Sequence, residues 1–482
     1  MKHLPILCIL STLLVNIAFA QTAPKSYGVV PTERQLKWHE TEMYSLIHFT
    51  PTTFENKEWG YGDADPTIFN PTGFDADQIV NAAKDGGMRG IIMVAKHHDG
   101  FCLWPTKTTE YNISKSPWRN GKGDMVREFE QACRKAGMKF GIYCSPWDRN
   151  NTTYGTPNYL PIYREQLREL YTNYGDIFMS WHDGANGGDG YYGGTNEARK
   201  IDNTTYYDWN TTWNDITRKL QPNATIFSDI GPDVRWVGNE KGFAAETHWA
   251  TFTPEALTGK TAVPGNVNTE TSSVGTRNGK YWTPAECDVP LRPGWFYHPE
   301  QDGKEKDADY LVDLYFKSVG RGACLDLGLS PTPEGKLHEN DVRILKEFNA
   351  ELTSIFSKNL TEAATISAGN SRNGFPVKNL TDGDRYSYWA TNDNTAATEI
   401  IVDFTKATSV NIIQLRENIK LGQRINRVNI AAWVNNKWQS VAEVESVGAN
   451  RLIKLEKPID SSKIKISLIA PVSITLSELS VY

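Results

Sequence analysis

After residue 20 the chain has no apolar run long enough to cross a bilayer as a helix, which excludes a helical membrane span and leaves the hydrophobic residues for folded cores. Cysteine is scarce: beyond Cys8 there are Cys102, Cys133, Cys144, Cys287 and Cys324, an odd number with no Cys-x-x-Cys spacing. That excludes a disulfide framework and a cysteine-based zinc site and leaves buried thiols. Excess positive charge is missing too. The 51 Lys and Arg against 57 Asp and Glu give a formal net charge of -6 with no basic cluster to neutralise phosphates, so nucleic acid is excluded as a partner. No His-Glu-x-x-His or His-x-x-x-His run supports a metal centre, and none is expected. What the chain has in excess is aromatic: 15 Trp and 21 Tyr, flat faces with a polar edge that suit a partly wet pocket for sugar rings.

Residues 1–20 read as an export signal, with Lys2 and His3, an apolar stretch, and Ala18-Phe-Ala20 as the small-x-small cleavage site. The expectation is export to the periplasm or the medium. From 21 to 355 apolar strands alternate with helical stretches. Strands are expected at 44–49, 90–96, 139–145, 178–184 and 224–230, and helices at 31–42, 74–84, 124–136, 161–174 and 206–220. Asp75 is a candidate N-cap. The number of units argues for a (β/α)8 barrel of the TIM type. Further strands are expected near 242–247 and 295–298 and at 323–329, with helices at 307–319 and 337–355. The stretch 253–282, rich in Thr, Gly and Asn, is expected as a long loop over the top face. From 356 to 482 short alternating runs (398–404, 410–415, 427–433 and 463–468) predict a separate antiparallel β-sandwich.

The chemistry centres on Phe178-Met-Ser-Trp-His-Asp-Gly184, a buried strand that delivers a carboxylate to its carboxyl end, where barrels carry their sites. Hydrolysis of a glycosidic bond needs two carboxyls. Asp183 is the candidate nucleophile, and Gly184 would let a ligand approach closely. Glu240, in the loop after Trp236, is the candidate acid/base, with Glu246 and Glu286 as competing loop carboxylates. His97 and His98 read best as hydrogen-bonding imidazoles, with Asp99 fixing a tautomer, since adjacent strand residues face opposite ways and could share one metal ion only from a loop. Trp59, Trp104, Trp118, Trp147, Trp181, Trp236, Trp249, Trp282 and Trp295 all fall at strand ends or in the following loops, which suggests an aromatic-lined pocket. The rival readings are a non-catalytic glycan-binding protein on a degenerate barrel and a metal hydrolase built on His97 and His98.

With these residues assembled, the chain resembles the α-L-fucosidases of glycoside hydrolase family 29. The likeness rests on Ser45-Leu-Ile-His-Phe49, Ala95-Lys-His-His-Asp-Gly-Phe101, Gly141-Ile-Tyr-Cys-Ser145, Trp181-His-Asp-Gly184 and Leu327-Gly-Leu-Ser-Pro-Thr-Pro-Glu-Gly335. The resemblance implies an exo-acting retaining α-L-fucosidase that needs no cofactor and acts on fucosylated glycans. It implies Asp183 as nucleophile, fucose-binding His48, His97 and His98, and further binding residues Glu58, Trp59, Tyr143 and Arg235. Trp181, Trp236, Glu286 and Trp295 complete the expected binding set. The runs 228–240 and 285–296 are similar to the subgroup selective for α-1,3 and α-1,4 linked fucose, whose acid/base position corresponds to Glu240. Asn379-Leu-Thr-Asp-Gly-Asp384 resembles galactose-binding-like (discoidin, or carbohydrate-binding family 32) sandwiches, which implies Asp382 as a calcium ligand by analogy.

Overall fold

The computed structural model describes residues 22–257 and 261–482; the expected export signal lies outside them. Eight parallel strands close into a barrel in sequential order: β1 (Met43–Ile47), β2 (Gly90–Lys96), β3 (Lys139–Cys144), β4 (Met179–Trp181), β5 (Thr225–Ser228), β6 (Val234–Trp236), β7 (Ala285–Pro290) and β8 (Cys324–Leu329), with β8 pairing back onto β1. The strands form because continuous β-branched and apolar runs bury both faces. Ile91, Met93 and Ala95 of β2 pack outward against helices, while Ile92 and Val94 fill the interior. Helix α1 (Glu33–His39) precedes the barrel. Around it lie α2 (Ala76–Asp85) and α3 (Met125–Ala136), whose first turns are capped by Asp75 and Asp124. Then come α4 (Tyr159–Asn173), α5 (Trp209–Thr211, π-helical Thr212–Thr217 and Arg218–Leu220, run together), α6 (Ala308–Lys317) and α7 (Glu339–Ile355).

The later strands differ from the expectation. The sixth is Val234–Trp236 and the seventh Ala285–Pro290, not 242–247 and 295–298. Three residues are too few to show a period, and β7 carries Glu286 and Asp288 on its inner face, so it reads as a polar loop. The 253–282 stretch is not simply a lid. Its stem is a short hairpin, Thr251–Phe252 with Tyr281–Trp282, where Trp282 packs with Leu36 of α1. Its tip returns to the carboxyl end of the strands, where Gly265 N donates to Asp229 Oδ2 at 2.8 Å.

The second domain is antiparallel: β9 (Thr365–Ala368), β10 (Trp389–Ala390), β11 (Ala397–Glu417), β12 (Arg427–Val434), β13 (Lys437–Val444), β14 (Arg451–Ile469) and β15 (Thr475–Val481). The runs 398–404 and 410–415 are one long strand that shifts register between Asp403 and Thr408. It encloses its own core, including Trp389, Ile413, Ile430 and Ile466. It docks on the amino-terminal side of the barrel through Glu42, which accepts from Arg385 Nη1 (3.0 Å) and Arg416 Nη2 (3.1 Å), and through Glu246, which pairs with Arg321 and Arg451. The five described cysteines are buried and unpaired. Among the described residues no helix is long and apolar enough to cross a membrane.

Candidate active site

The carboxyl ends of β1 to β4 deliver His48, His97, His98, Tyr143 and Asp183 to one cavity of about 100 Å³, which Trp59, Trp181, Glu240, Asp288 and Trp295 complete. Because β2 ends at Lys96, His97 and His98 belong to the following loop, and their rings lie together with centroids 4.1 Å apart. Asp99 does not fix their tautomers, contrary to the expectation. It accepts from Thr50 Oγ1 (2.7 Å), Thr52 Oγ1 (3.1 Å) and Phe101 N (3.1 Å), tying down the loop after β1. The group beside His98 Nδ1 is Ser145 Oγ, at 2.8 Å. Ser145 spends its own proton on Trp147 O, so His98 Nδ1 must donate, which leaves Nε2 as an acceptor 3.7 Å from Asp183 Oδ2. Burial drives His48 and His98 down to about 3 and His97 well below its usual range, so all three imidazoles are neutral at neutral pH. The Nδ1 atoms of His48 and His97 are buried with no hydrogen-bond partner among the described residues.

Asp183 is held at both oxygens: Ala185 N donates to Oδ1 at 2.6 Å and Tyr143 OH to Oδ2 at 2.9 Å. Burial raises its pKa, and these two bonds pull it partly back. The space beside Gly184 is not open to a ligand. A Cβ there would lie 2.1 Å from Asp229 Oδ2, so the missing side chain makes room for a second, half-buried carboxyl, itself pushed up to about 6 by desolvation. Glu240 stands at the cavity mouth. Burial raises its pKa against a hydrogen bond from Trp295, and the charges of Asp183 and Glu58 add to the rise. Glu240, Trp59 and Trp295 also border an adjoining groove of about 450 Å³ that continues past Pro293, His298 and Gln301.

The other expected residues are placed as follows. Glu58 lines the groove, accepts from Trp295 N and Phe296 N, and pairs with His298 Nε2 at 2.9 Å, which fixes the wall that carries Trp295. Trp181 stacks on Phe227 with centroids 4.3 Å apart and donates to Glu286 Oε1 at 2.7 Å. Glu286 is not a loop carboxylate. It lies inside the barrel at 0% exposure, accepts also from Tyr44, and sits beneath the cavity without lining it. Trp236 faces the interior behind Asp288 and donates to Asp288 Oδ1 at 2.7 Å. Arg235, its neighbour on β6, therefore points outward. Its guanidinium donates to Ser272 O, Thr283 O and Trp249 O, clamps the 249–283 segment, and does not reach the cavity. Glu246 is spent on Arg321 and on the interdomain contact with Arg451.

Sequence reasoning missed Asp288, Asp229 and Ser145. The signal for Asp288 was there: Glu286 and Asp288 are two apart, so on a strand they share a face. A second hollow of about 390 Å³ around Arg34, Trp38, Lys139 and Asp176 lies near the amino-terminal ends of the strands, remote from these groups.

Comparison with known proteins places this geometry. The family model described as "Alpha-L-fucosidase" matches residues 25–353, and that described as "F5/8 type C domain" matches residues 362–478. The chain is 39% identical to "Alpha-L-fucosidase 1" of Arabidopsis thaliana over 444 residues, covering 91% of this chain and 84% of the relative. It is 40% identical over 431 residues to "Putative alpha-L-fucosidase 1" of Oryza sativa subsp. japonica, covering 88% and 79%. Among solved structures, a glycoside hydrolase 29 family member from an unknown rumen bacterium superposes with a TM-score of 0.83 at 40% identity, covering 95% of this chain and 78% of that one. A Ruminococcus gnavus GH29 fucosidase in complex with fucose superposes with a TM-score of 0.83 at 29% identity, covering 97% of both chains.

Proposed function

This chain belongs to the α-L-fucosidase family, glycoside hydrolase family 29, and is an α-L-fucosidase, and we propose that it works by double displacement with Asp183 as nucleophile and Glu240 as acid/base. One observation carries the assignment: these two carboxyls reach the same cavity from the loops, one pinned by Tyr143 and Ala185, the other at the junction with the groove. In the first step an Asp183 oxygen bonds to the anomeric carbon, the bond to the leaving oxygen breaks, and Glu240 gives that oxygen its proton. In the second, water attacks the anomeric carbon and loses a proton to Glu240, and the bond to Asp183 breaks, returning fucose in its original configuration.

The neutral imidazoles suit a sugar, because they offer hydrogen bonds to hydroxyls without imposing charge, His98 through its Nε2 acceptor. A cavity of about 100 Å³ opening at Glu240 into a groove of about 450 Å³ suits one terminal ring with its leaving group in the groove. The subgroup likeness in 228–240 and 285–296 extends the proposal to α-1,3 and α-1,4 linked fucose on branched glycans, and the sequence of residues 1–20 extends it to an exported enzyme. A calcium ion at Asp382 does not follow from the geometry. Asp382 accepts from Asp384 N (3.0 Å) and from Ser387 Oγ, so the loop closes with its own hydrogen bonds.

The test is a panel of branched fucosylated oligosaccharides beside an aryl fucoside, with nuclear magnetic resonance of the first-formed sugar. Release of α-L-fucose before mutarotation supports retention. Release of the β-anomer, or activity on the aryl fucoside alone, removes the mechanism or the linkage assignment respectively.

A further inference from the structure

One carboxyl in the cavity has no part in the two-carboxyl chemistry. Asp288 sits on the inner face of β7 at 5% exposure and lines the cavity from within a strand, whereas Asp183 and Glu240 reach it from loops. Trp236 donates to its Oδ1, and its Oδ2 has no side-chain partner among the described residues. Glu286 lies two residues back on the same face, and Asp326 on β8 is the register partner of Asp288. All three are buried, and none has a Lys, Arg or His within ion-pair distance among the described residues. Carboxyls packed together away from water cannot all ionise. Burial, with the charges of Glu286 and Glu240, pushes Asp288 well above the carboxylate range, and the packing of three carboxyls without a cation among the described residues favours its neutral form. Oδ1 accepts from an indole N–H, which leaves the proton for Oδ2.

We propose that Asp288 is a fucose-contacting residue that donates a hydrogen bond from Oδ2 to a sugar hydroxyl at the cavity floor. This rests on the reading of the cavity as the fucose site. It complements the imidazoles: His98 Nε2 accepts a hydroxyl proton, while Asp288 supplies one. The neutral acid also keeps a further negative charge away from Asp183 and Glu240.

The experiment compares Asp288→Ala and Asp288→Asn in the full chain, with kcat and KM on an aryl fucoside, inhibition by free L-fucose, and melting curves to check the fold. Loss of one buried donor predicts that Asp288→Ala weakens fucose inhibition and kcat/KM by about 10- to 100-fold. Asp288→Asn, of the same size and still a neutral donor, recovers most of that loss. The proposal is overturned if Asp288→Asn is as impaired as Asp288→Ala, which would mean that an ionised oxygen is needed, or if Asp288→Ala stays within about threefold of wild type. If the alanine variant does not fold, the asparagine variant decides alone: activity within about tenfold of wild type supports a neutral donor, and a larger loss rejects it. Asp183→Ala run in parallel separates the two readings. Its activity would reject the site itself, while its inactivity beside a negative Asp288 result rejects only this inference.

Discussion

Asp183 and Glu240 are both shifted upward, and the shifts set the pH behaviour. In the proposed mechanism attack needs Asp183 ionised, so kcat/KM is expected to fall as pH drops through its raised pKa. Protonation of the leaving group needs Glu240 as an acid, so kcat/KM falls again as pH climbs through that second value. The two limbs belong to the coupled pair. Glu240→Gln is expected to erase the alkaline limb. With an activated aryl fucoside it should retain a fast first step and a slow second one, and added azide should restore turnover; a variant unaffected by azide and still bell-shaped would remove Glu240 from the role. Tyr143→Phe frees Asp183 Oδ2 from its donor, which raises the carboxyl's pKa further and moves the acid limb to higher pH, readable from a rate profile. The residue-level pattern was legible at strand ends, as at His97, His98 and Asp183, which meet in one cavity. Arg235 was misread because the family likeness supplies a position and not a direction, and on a three-residue strand one step of alternation turns a side chain out of the barrel.

The first five strands could be read from sequence because their runs are apolar on both faces. β7 could not, because its inner face is polar: Glu286 accepts from Tyr44 and Trp181, and Asp288 from Trp236. A polar barrel interior breaks the rule that buried strands look hydrophobic, and it does so beneath the site. The consequence for stability has a definite sign. Burial raises Glu286 from 4.5 to about 7, so the folded state holds a proton that the unfolded chain releases, and stability falls as pH rises through that window. Glu286→Gln should flatten the fall in Tm between about pH 5 and 7 seen for the wild type; an unchanged slope would mean that the burial is relieved some other way. On β6, Arg235→Met leaves three buried carbonyls without their donor. It should cost about 2–4 kcal/mol in a denaturant melt with little change in KM. A KM effect larger than the stability effect would return Arg235 to the binding set.

At the scale of the molecule, the barrel and the antiparallel domain are joined by ion pairs on the side away from the cavity. Burial alone would raise Glu42, but Arg416, Arg385 and Arg89 outweigh it and hold the carboxyl below its ordinary 4.5. This contact therefore stabilises above that value and is lost as pH falls through the lowered one. Glu42→Ala should lower stability by about 2–4 kcal/mol at neutral pH, measured by thermal or urea unfolding, because it strands guanidinium groups at the interface. Joining the domains this way keeps their contact clear of the carboxyl end of the barrel, and all of the proposed chemistry converges on one atom set there. The most direct test of it is mass spectrometry of the enzyme after treatment with a fluorinated fucosyl fluoride, whose electron-poor ring slows breakdown of a covalent sugar–enzyme bond. The account predicts a fucosyl label on the peptide containing Asp183 and none in Asp183→Ala; an active enzyme that forms no adduct, or one labelled on another carboxylate, would contradict it.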